Sequence, residues 1–242
     1  MEKITSLQNA QVKKWMKLHT KKGRDEAGRF LVEGEHLTAE ALKAGCVETI
    51  IFDRECPFVF PKMIEVTEQV MNKLTGNVSG AHLIAVCRRK EPSVENFNRI
   101  LMLDGVQDPG NLGTLIRTAV SFSFDAVYCS EDTCDLYNEK AIRSTQGALF
   151  HIPVIRGKLY DIAEQLQKSG VQVIATSLQE SHCMDEIPPA GRMAFVFGNE
   201  GQGVSEKMQK MADDRLRIEM HGFESLNVAV AGGIVMYHYR NM

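Results

Sequence analysis

The chain has 242 residues, of which 44% are hydrophobic and 24% are charged, and its formal net charge is −3 at pH 7. These values exclude a disordered, collagen-like or coiled-coil chain, and the length suits one large or two modest globular domains. No run of residues reaches the roughly 18 apolar residues of a membrane span, and the N-terminal segment lacks the apolar core of a secretory signal. The sequence therefore predicts a cytoplasmic protein that does not enter a membrane.

The cysteine spacing and the charge distribution indicate which ligands the protein can bind. The six cysteines include no Cys-x-x-Cys pair, so we expect reduced thiols and no metal site. Positive charge is concentrated at the N-terminus, where residues 1–30 contain eight Lys or Arg against three Asp or Glu. Such a cluster can dock a polyanion, although a solvated helix face explains it equally well.

The first third of the chain predicts alternating helices and strands. Val12, Trp15 and Met16 recur at helical spacing, and a second helix is expected at 36–45, ended by Gly45. The strands predicted in this part are 30–34, 47–52 and 82–87. A charged segment with a proline, residues 87–99, then predicts a boundary between a domain at 1–95 and a domain at 99–242.

Strands and helices alternate throughout the second predicted domain. Continuous apolar runs predict strands at 100–103, 126–129, 151–155, 171–177, 193–198 and 215–220. Helical patterns fall between and after them at 114–123, 139–147, 158–168, 205–211 and about 225–239. This alternation predicts a parallel sheet with helices on both faces, and ligands on such a sheet bind beyond the carboxyl ends of the strands.

The first loop of interest, residues 103–119, joins a strand to a helix and contains the turn sequence DPGN. If the helix begins near Thr114, Arg117 lies in its first turn and faces the cleft at the strand ends together with Asn111. A plain turn followed by a surface arginine explains the same residues.

The second loop, residues 195–205, carries glycines at 198, 201 and 203, where a backbone can approach a ligand closely. Their G-x-x-G-x-G spacing matches neither the dinucleotide fingerprint nor a P-loop, so neither a nicotinamide cofactor nor ATP is expected. Glu200 stands between the glycines and can accept hydrogen bonds or neutralise a positive group. An ordinary glycine-rich loop is the other interpretation.

The third loop opens the last helix, in which Ser225 is the expected N-cap and Asn227 lies in the first turn, within reach of the cleft. The run AVAGG (229–233) places glycines inside the helix, where each destabilises it by about 1 kcal/mol relative to alanine. Such small residues permit close packing within the fold or across a dimer, and ordinary capping and core packing also explain the segment.

Taken in order, DPGNLGTLIRTA, VFGNEGQGVS and ESLNVAVA resemble the three signature motifs of the SpoU (TrmH-like) branch of the SPOUT RNA methyltransferases. Residues 136–154 resemble the segment between the first two motifs, and residues 9–42 resemble a substrate-binding domain that is similar to an RNA-binding ribosomal-protein fold. The resemblance covers nearly the whole chain. In one departure, the family usually has proline at the position of Glu219.

The resemblance implies an α/β protein with a C-terminal parallel sheet containing a deep trefoil knot and a smaller N-terminal α/β RNA-binding domain. It further implies a homodimer, formed through the C-terminal domain, that transfers a methyl group from S-adenosylmethionine to a ribose 2′-hydroxyl of rRNA or tRNA. The residues that match the catalytic region of the family are Asn111, Arg117, Glu200, Ser225 and Asn227. Those that match its cofactor pocket are Thr176, Ser177, Gly198, Asn199, Gly201, Gly203, Ile218, Met220 and Leu226. The basic residues expected to contact RNA phosphates are Lys13, Lys14, Lys17, Lys21, Lys22, Arg24 and Arg29.

The family assigns activation of the 2′-hydroxyl to the arginine that matches Arg117. Because a guanidinium is charged at any ordinary pH, we expect it to lower the pKa of the hydroxyl and to hold the adjacent phosphate, while the phosphate, water or Glu200 accepts the proton. The alternative function is a non-catalytic RNA-binding ribosome-assembly factor that retains the knotted fold. An NAD-dependent enzyme is disfavoured by the glycine spacing.

Overall fold

The computed structural model describes residues 2–76, 80–93, 97–222 and 225–240. The chain divides into two compact units, which we call the N-terminal unit (Met1–Glu91 and Tyr137–Phe150) and the C-terminal unit (Pro92–Leu136 and His151–Met242). The division differs from the predicted one in two respects: the first boundary falls after Glu91, and one later segment belongs to the N-terminal unit. The segment Tyr137–Phe150, which lies in the second half of the sequence, packs with the first.

The elements of the described residues follow in chain order. The first part contains β1 (Glu2–Ile4), α1 (Ala10–Lys17), α2 (Lys21–Ala27), β2 (Arg29–Glu33), α3 (Glu35–Lys43), β3 (Val47–Phe52), β4 (Met63–Val66), α4 (Glu68–Leu74) and β5 (Leu83–Arg88). The second part contains β6 (Arg99–Asp104), α5 (Pro109–Ser121), β7 (Ala126–Cys129), α6 (Glu139–Thr145), β8 (Val154–Arg156), α7 (Leu159–Lys168), β9 (Gln172–Thr176), β10 (His182–Cys183), β11 (Met193–Gly198), α8 (Glu206–Met211), β12 (Asp214–Arg217) and α9 (Val228–His238). None of the described helices is long and apolar enough to cross a lipid bilayer.

The N-terminal unit is built on a mixed five-stranded sheet in the order β1-β4-β3-β5-β2. The strands β1, β4 and β3 are parallel, and β5 is antiparallel to both of its neighbours. One face of the sheet packs on α1 and α4 through a core that includes Trp15, Met71 and Ile84. The other face packs on α3 and α6 through Phe30, Leu37 and Ile142.

Apolar burial explains why Tyr137–Phe150 belongs to the N-terminal unit. The ring of Phe30 lies 4.5 Å from that of Tyr137 and 6.4 Å from that of Phe150, measured between centroids. Ile142 of α6 is buried in the same cluster. Burying a large apolar side chain stabilises a fold by about 1.5–3 kcal/mol. These contacts therefore hold the segment on the sheet of the N-terminal unit, although it is distant from that sheet in sequence.

A partly buried ion pair between Glu139 of this segment and His19, which follows α1, makes the stability of the N-terminal unit depend on pH. The hydrogen bond that His19 Nδ1 donates to the Glu139 carboxylate raises the pKa of His19 above 6.5 and lowers the pKa of Glu139. The contribution of His19 is therefore complete below its unfolded pKa and is lost as pH rises through the folded value. The contribution of Glu139 is lost as pH falls through its own folded value.

We therefore expect the difference in Tm between the wild type and His19→Gln to be largest in mildly acidic solution and to shrink above neutral pH. Thermal unfolding followed by circular dichroism across this range measures it. A matched control is His36→Gln, because His36 contacts a backbone carbonyl and not a carboxylate. A Tm difference for His19→Gln that stays constant with pH would contradict a pH-dependent stabilisation by the ion pair of His19 with Glu139.

The C-terminal unit contains a seven-stranded sheet in the order β10-β12-β9-β11-β6-β7-β8, and every pairing in it is parallel. Helices α7 and α8 cover one face through a core that includes Met102, Leu159 and Met208. Helices α5 and α9 cover the other face, where Tyr239 packs on Phe195 with ring centroids 4.7 Å apart. The predicted α/β class and parallel sheet are thus confirmed.

Two helix starts differ from the prediction, and both differences concern the site. Helix α5 begins at Pro109 rather than near Thr114, because the side chain of Asp108 accepts from the Asn111 N–H and proline suits the first helical position. Helix α9 begins at Val228, with Asn227 and not Ser225 as its N-cap. Arg117 therefore lies in the third turn of α5, not in the first.

Candidate active site

A pocket of about 670 Å³ lies at the carboxyl ends of β9, β11 and β12. This size falls within the range of about 300–1,000 Å³ that is usual for small-molecule sites. All nine residues that the sequence predicts for the cofactor pocket line it: Thr176, Ser177, Gly198, Asn199, Gly201, Gly203, Ile218, Met220 and Leu226. Three of the predicted catalytic residues, Glu200, Ser225 and Asn227, line it as well.

The loop between β11 and α8 forms one wall of the pocket, and Asn199 fixes its shape. Its backbone exchanges two hydrogen bonds with Gly203, of 3.0 and 2.8 Å. Its side-chain oxygen accepts from the N–H groups of Gly201 (2.9 Å) and Gln202 (3.1 Å), and its amide nitrogen donates to the Gly105 carbonyl at 2.9 Å. Asn199 therefore contributes backbone to the pocket, while its side chain is used within the protein.

Glycine is required at Gly198 for a packing reason. A Cβ at this position would lie 2.0 Å from the carbonyl carbon of Gly203 and 2.1 Å from the Val204 nitrogen. Gly203 adopts φ +71°, a conformation that favours glycine. A Cβ at Gly201, by contrast, would meet only the Asn199 side-chain oxygen at 3.6 Å, which is an ordinary contact. Packing therefore does not require glycine at this position, and its missing side chain leaves space for a ligand in the pocket.

The carboxylate of Glu200 organises the start of α5. It accepts hydrogen bonds from the backbone N–H groups of Gln107 and Asp108, both at 3.0 Å, and from the Asn111 amide nitrogen at 2.9 Å. Burial acts to raise the pKa of Glu200, but these hydrogen bonds outweigh it and hold the pKa below its ordinary value. A carboxylate with three donors and a lowered pKa is a positioning group and a poor proton acceptor.

A hydrogen-bonded chain runs from Glu200 through Asn111 to Asn227. Because the Asn111 nitrogen donates to Glu200, its oxygen faces Asn227 and accepts from that side-chain nitrogen at 3.0 Å. The Asn227 oxygen in turn accepts from the N–H groups of Ala229 and Val230 at the start of α9. The orientation of both amides is therefore fixed by their partners. One chain of contacts thus ties together the three loops that the sequence singled out.

The structure does not place Arg117 among the residues that line the pocket. Its side chain is exposed on α5, and within the described part of the chain its guanidinium makes no hydrogen bond or ion pair. The predicted catalytic residues therefore fall into two groups. Four of them lie at the pocket or in the hydrogen-bonded chain beside it, and Arg117 presents a free cation to solvent.

Among the basic residues predicted to contact RNA, Arg24 is a correction. It is only 3% exposed and donates to the Leu18 carbonyl at 2.8 Å, so it closes the end of α1 and is not available to a phosphate. Arg29 is exposed, but it pairs with Glu48. The remaining predicted residues are exposed: Lys13, Lys14, Lys17, Lys21 and Lys22.

Replacing Glu200 with glutamine tests the positioning role. The amide must turn one N–H group toward a backbone donor, because all three partners of the carboxylate are donors. We expect a Tm lower by about 2–4 °C, as for a loss of about 1 kcal/mol in a chain of this size, with a larger effect on kcat than on cofactor affinity. Glu206→Gln is the control, since this carboxylate is exposed and, among the described residues, forms an ion pair only with Lys210. Equal Tm values for both variants would contradict the role.

Known proteins identify the class to which this fold and site belong. Residues 98–237 match the SpoU rRNA Methylase family, and residues 9–85 match the MRM3-like substrate binding domain. Over 249 residues the chain is 41% identical to the 23S rRNA (guanosine(2553)-2′-O)-methyltransferase RlmP of Bacillus subtilis, covering 99% of this chain and 100% of that protein. An uncharacterized tRNA/rRNA methyltransferase of Synechocystis is 31% identical over 257 residues, covering 98% and 93% of the two chains.

Solved structures agree. The crystal structure of an AdoMet-bound rRNA methyltransferase from Sinorhizobium meliloti is similar with a TM-score of 0.89 and 30% identity, over 99% of this chain and 97% of that chain. The chain belongs to the SpoU rRNA methylase family. It is an S-adenosylmethionine-dependent RNA 2′-O-methyltransferase, which confirms the class that the three motifs predicted.

The pocket fits a nucleoside-bearing methyl donor. Its apolar side chains, Phe197, Leu216 and Ile218, suit a flat base, while the backbone of the glycine loop supplies N–H and carbonyl groups. The open space at Gly201 lets a ligand approach that backbone closely. Within the described residues, no group of three or more His, Cys, Asp or Glu side chains is arranged to hold a metal ion.

Proposed function

We propose that this enzyme methylates the 2′-hydroxyl of a guanosine ribose in the large-subunit ribosomal RNA of a bacterial cell, in the cytoplasm. The observation that carries the proposal is the hydrogen-bonded chain Glu200–Asn111–Asn227 beside a pocket of the right size. Support for the substrate comes from the 41% identity, over almost the full chain, with a relative named as a 23S rRNA guanosine 2′-O-methyltransferase.

Each group in the site has a distinct proposed role. S-adenosylmethionine supplies an electrophilic methyl group on a sulfonium, and the loops 198–203, 216–220 and 225–227 hold it. Asn111 and Asn227 lock those loops together, with Glu200 as the anchor. Holding two reactants in line can contribute roughly 7–11 kcal/mol to catalysis, so rigid loops matter as much as chemical groups here.

Arg117 is the proposed group that binds and polarises the RNA. Its guanidinium is free in the described part of the chain and remains charged at any ordinary pH, so it can hold a phosphate with two parallel hydrogen bonds. A cation beside the ribose also lowers the pKa of the 2′-hydroxyl. Since three hydrogen bonds hold the Glu200 carboxylate and keep its pKa below the ordinary value, the proton leaves to the RNA phosphate or to water.

We further propose the knotted topology and a homodimer formed through the C-terminal unit. Family membership supports the knot, as does the contact of the segment after β12 with the loop after β6, which the hydrogen bond from Asn227 to Asn111 makes. The dimer is supported by an apolar stripe on α9, where Val230 is 52% and Tyr237 54% exposed. The domain at 1–95 would bind RNA and that at 99–242 would carry out the transfer.

The test is methyl transfer to defined RNAs. Purified protein, labelled S-adenosylmethionine and transcripts of 23S rRNA, 16S rRNA and tRNA are incubated, and 2′-O-methylated positions are mapped. We expect one modified guanosine ribose in 23S rRNA. Modification of tRNA alone would overturn the substrate, and tight binding of the donor without transfer to any of these RNAs would favour the non-catalytic assembly factor.

A further inference from the structure

The N-terminal unit contains a pocket of its own, of about 550 Å³, formed where α1 and α2 meet the sheet. Its apolar lining comes from Trp15, Leu18, Ala27 and Val86. Close approach of the two helices shapes it, because a Cβ at Gly23 would lie 2.0 Å from the Lys17 carbonyl oxygen. This pocket is remote in sequence from the three motifs and has no part in the site described above.

One polar side chain on the lining points to a ligand. Thr49 is only 4% exposed, yet its hydroxyl makes no hydrogen bond within the described residues. The hydroxyl oxygen is not among the fully buried atoms that lack a partner, so it keeps some accessible surface and can be satisfied by water or by a bound molecule. The hydroxyl lies on the lining of the pocket and can donate or accept.

The rim of the pocket carries positive charge. Lys14, Lys17 and Lys62 line it, all three are exposed, and none makes an ion pair within the described part of the chain. The acidic residues of the lining are already compensated, since Glu48 pairs with Arg29 and Glu26 lies 3.8 Å from Lys22. An apolar interior with an unpaired hydroxyl and three free cations at its mouth matches a base attached to a phosphate.

We propose that this pocket binds one unstacked nucleotide of the substrate RNA, with its base against Trp15 and its phosphates on the three lysines. The inference rests on the proposed function for the identity of the RNA. Proteins read single-stranded RNA by taking splayed bases into such pockets, whereas a helix offers them only its shape and phosphates. The Thr49 hydroxyl is then the group that contacts the edge of the base.

Trp15 is the single tryptophan of the chain, so its fluorescence reports directly on the pocket. The full-length protein is titrated with guanosine, adenosine, uridine and cytidine monophosphates and with unstructured hexanucleotides of each base. We expect saturable quenching that weakens steeply with salt and differs between bases. Lys62→Glu should weaken binding of the hexanucleotides about tenfold, whereas Lys73→Glu, an equal charge change on α4 outside the pocket, should have a much smaller effect.

A second variant separates the base from the phosphate. Thr49→Val removes the hydroxyl at nearly constant volume, and it should reduce the preference among bases while leaving the salt dependence unchanged. With 23S rRNA, Lys62→Glu should raise KM and leave kcat at saturation unaltered. Absence of quenching by every nucleotide, or equal losses for Lys62→Glu and Lys73→Glu, would overturn the proposal, as would quenching by an acidic peptide alone. Quenching without methyl transfer would instead reject the proposed function and keep the nucleotide pocket.

Discussion

Replacement of Arg117 with alanine should lower kcat/KM for methyl transfer by at least about 100-fold, the loss typical of removing one group that stabilises charge in a transition state. The side chain is exposed, without a partner in the described residues and outside the pocket lining. We therefore expect the Tm and the affinity for S-adenosylmethionine to be unchanged. Radiolabel transfer to 23S rRNA and calorimetry with the donor measure the two quantities separately.

The lysine variant separates charge from shape. Arg117→Lys keeps the cation but loses the planar fork that grips a phosphate at two points, so its activity should stay well below that of the wild type. Near-native turnover of Arg117→Lys would contradict the bidentate role. Loss of donor binding in Arg117→Ala would show that the residue supports the pocket instead of the RNA.

Replacement of Gly198 with alanine should have the second large effect, because the added Cβ must displace the backbone of Gly203 and Val204. The displaced loop forms one wall of the pocket and carries Glu200, which anchors the start of α5. We expect affinity for S-adenosylmethionine to fall at least about tenfold and the Tm to drop by several degrees, since overpacking of this kind costs about 1–3 kcal/mol.

Gly201→Ala is the matched control, since it adds the same atom three residues away. Its Cβ would meet only the Asn199 side-chain oxygen at 3.6 Å, which is an ordinary contact. The Tm of this variant should equal that of the wild type, and any loss of donor affinity in it reports on the ligand and not on the fold. Equal Tm values for Gly198→Ala and the wild type would show that the loop relaxes freely, against the packing described here.

The placement of the site was predictable because parallel strands end at one edge of a sheet. The loops after β6 and β11, and the segment after β12, follow such strand ends, so Asn111, Glu200 and Asn227 were expected in one cleft, and they are hydrogen-bonded there. Helix starts were less predictable, because the local sequence at each fits more than one interpretation. At α5, Asp108 belongs to the sequence DPGN, which is also typical of a turn. At α9, serine and asparagine are equally favourable N-cap residues, so the sequence does not distinguish Ser225 from Asn227.

The sequence did not predict the roles of residues whose surroundings are set by tertiary packing. Arg24 belongs to a run of basic residues, yet α2 packs so closely on the end of α1 that its guanidinium is buried on the Leu18 carbonyl. Lys62 is isolated in the sequence, and only the parallel pairing of β4 with β3 brings its neighbourhood to the pocket beneath α1. No local pattern of charge or hydropathy distinguishes these two residues from ordinary surface cations.

The return of Tyr137–Phe150 to the first sheet has a consequence for biosynthesis. A growing chain leaves the ribosome from its N-terminus, and domains usually fold as they emerge. Here Phe30 and its neighbours on the α3 face stay without their aromatic cover until residue 150 has been made, some sixty residues after β5 is complete. The nascent N-terminal half is thus exposed to chaperones and proteases for longer than its own length would require, and a gene split at the predicted boundary would leave that face bare.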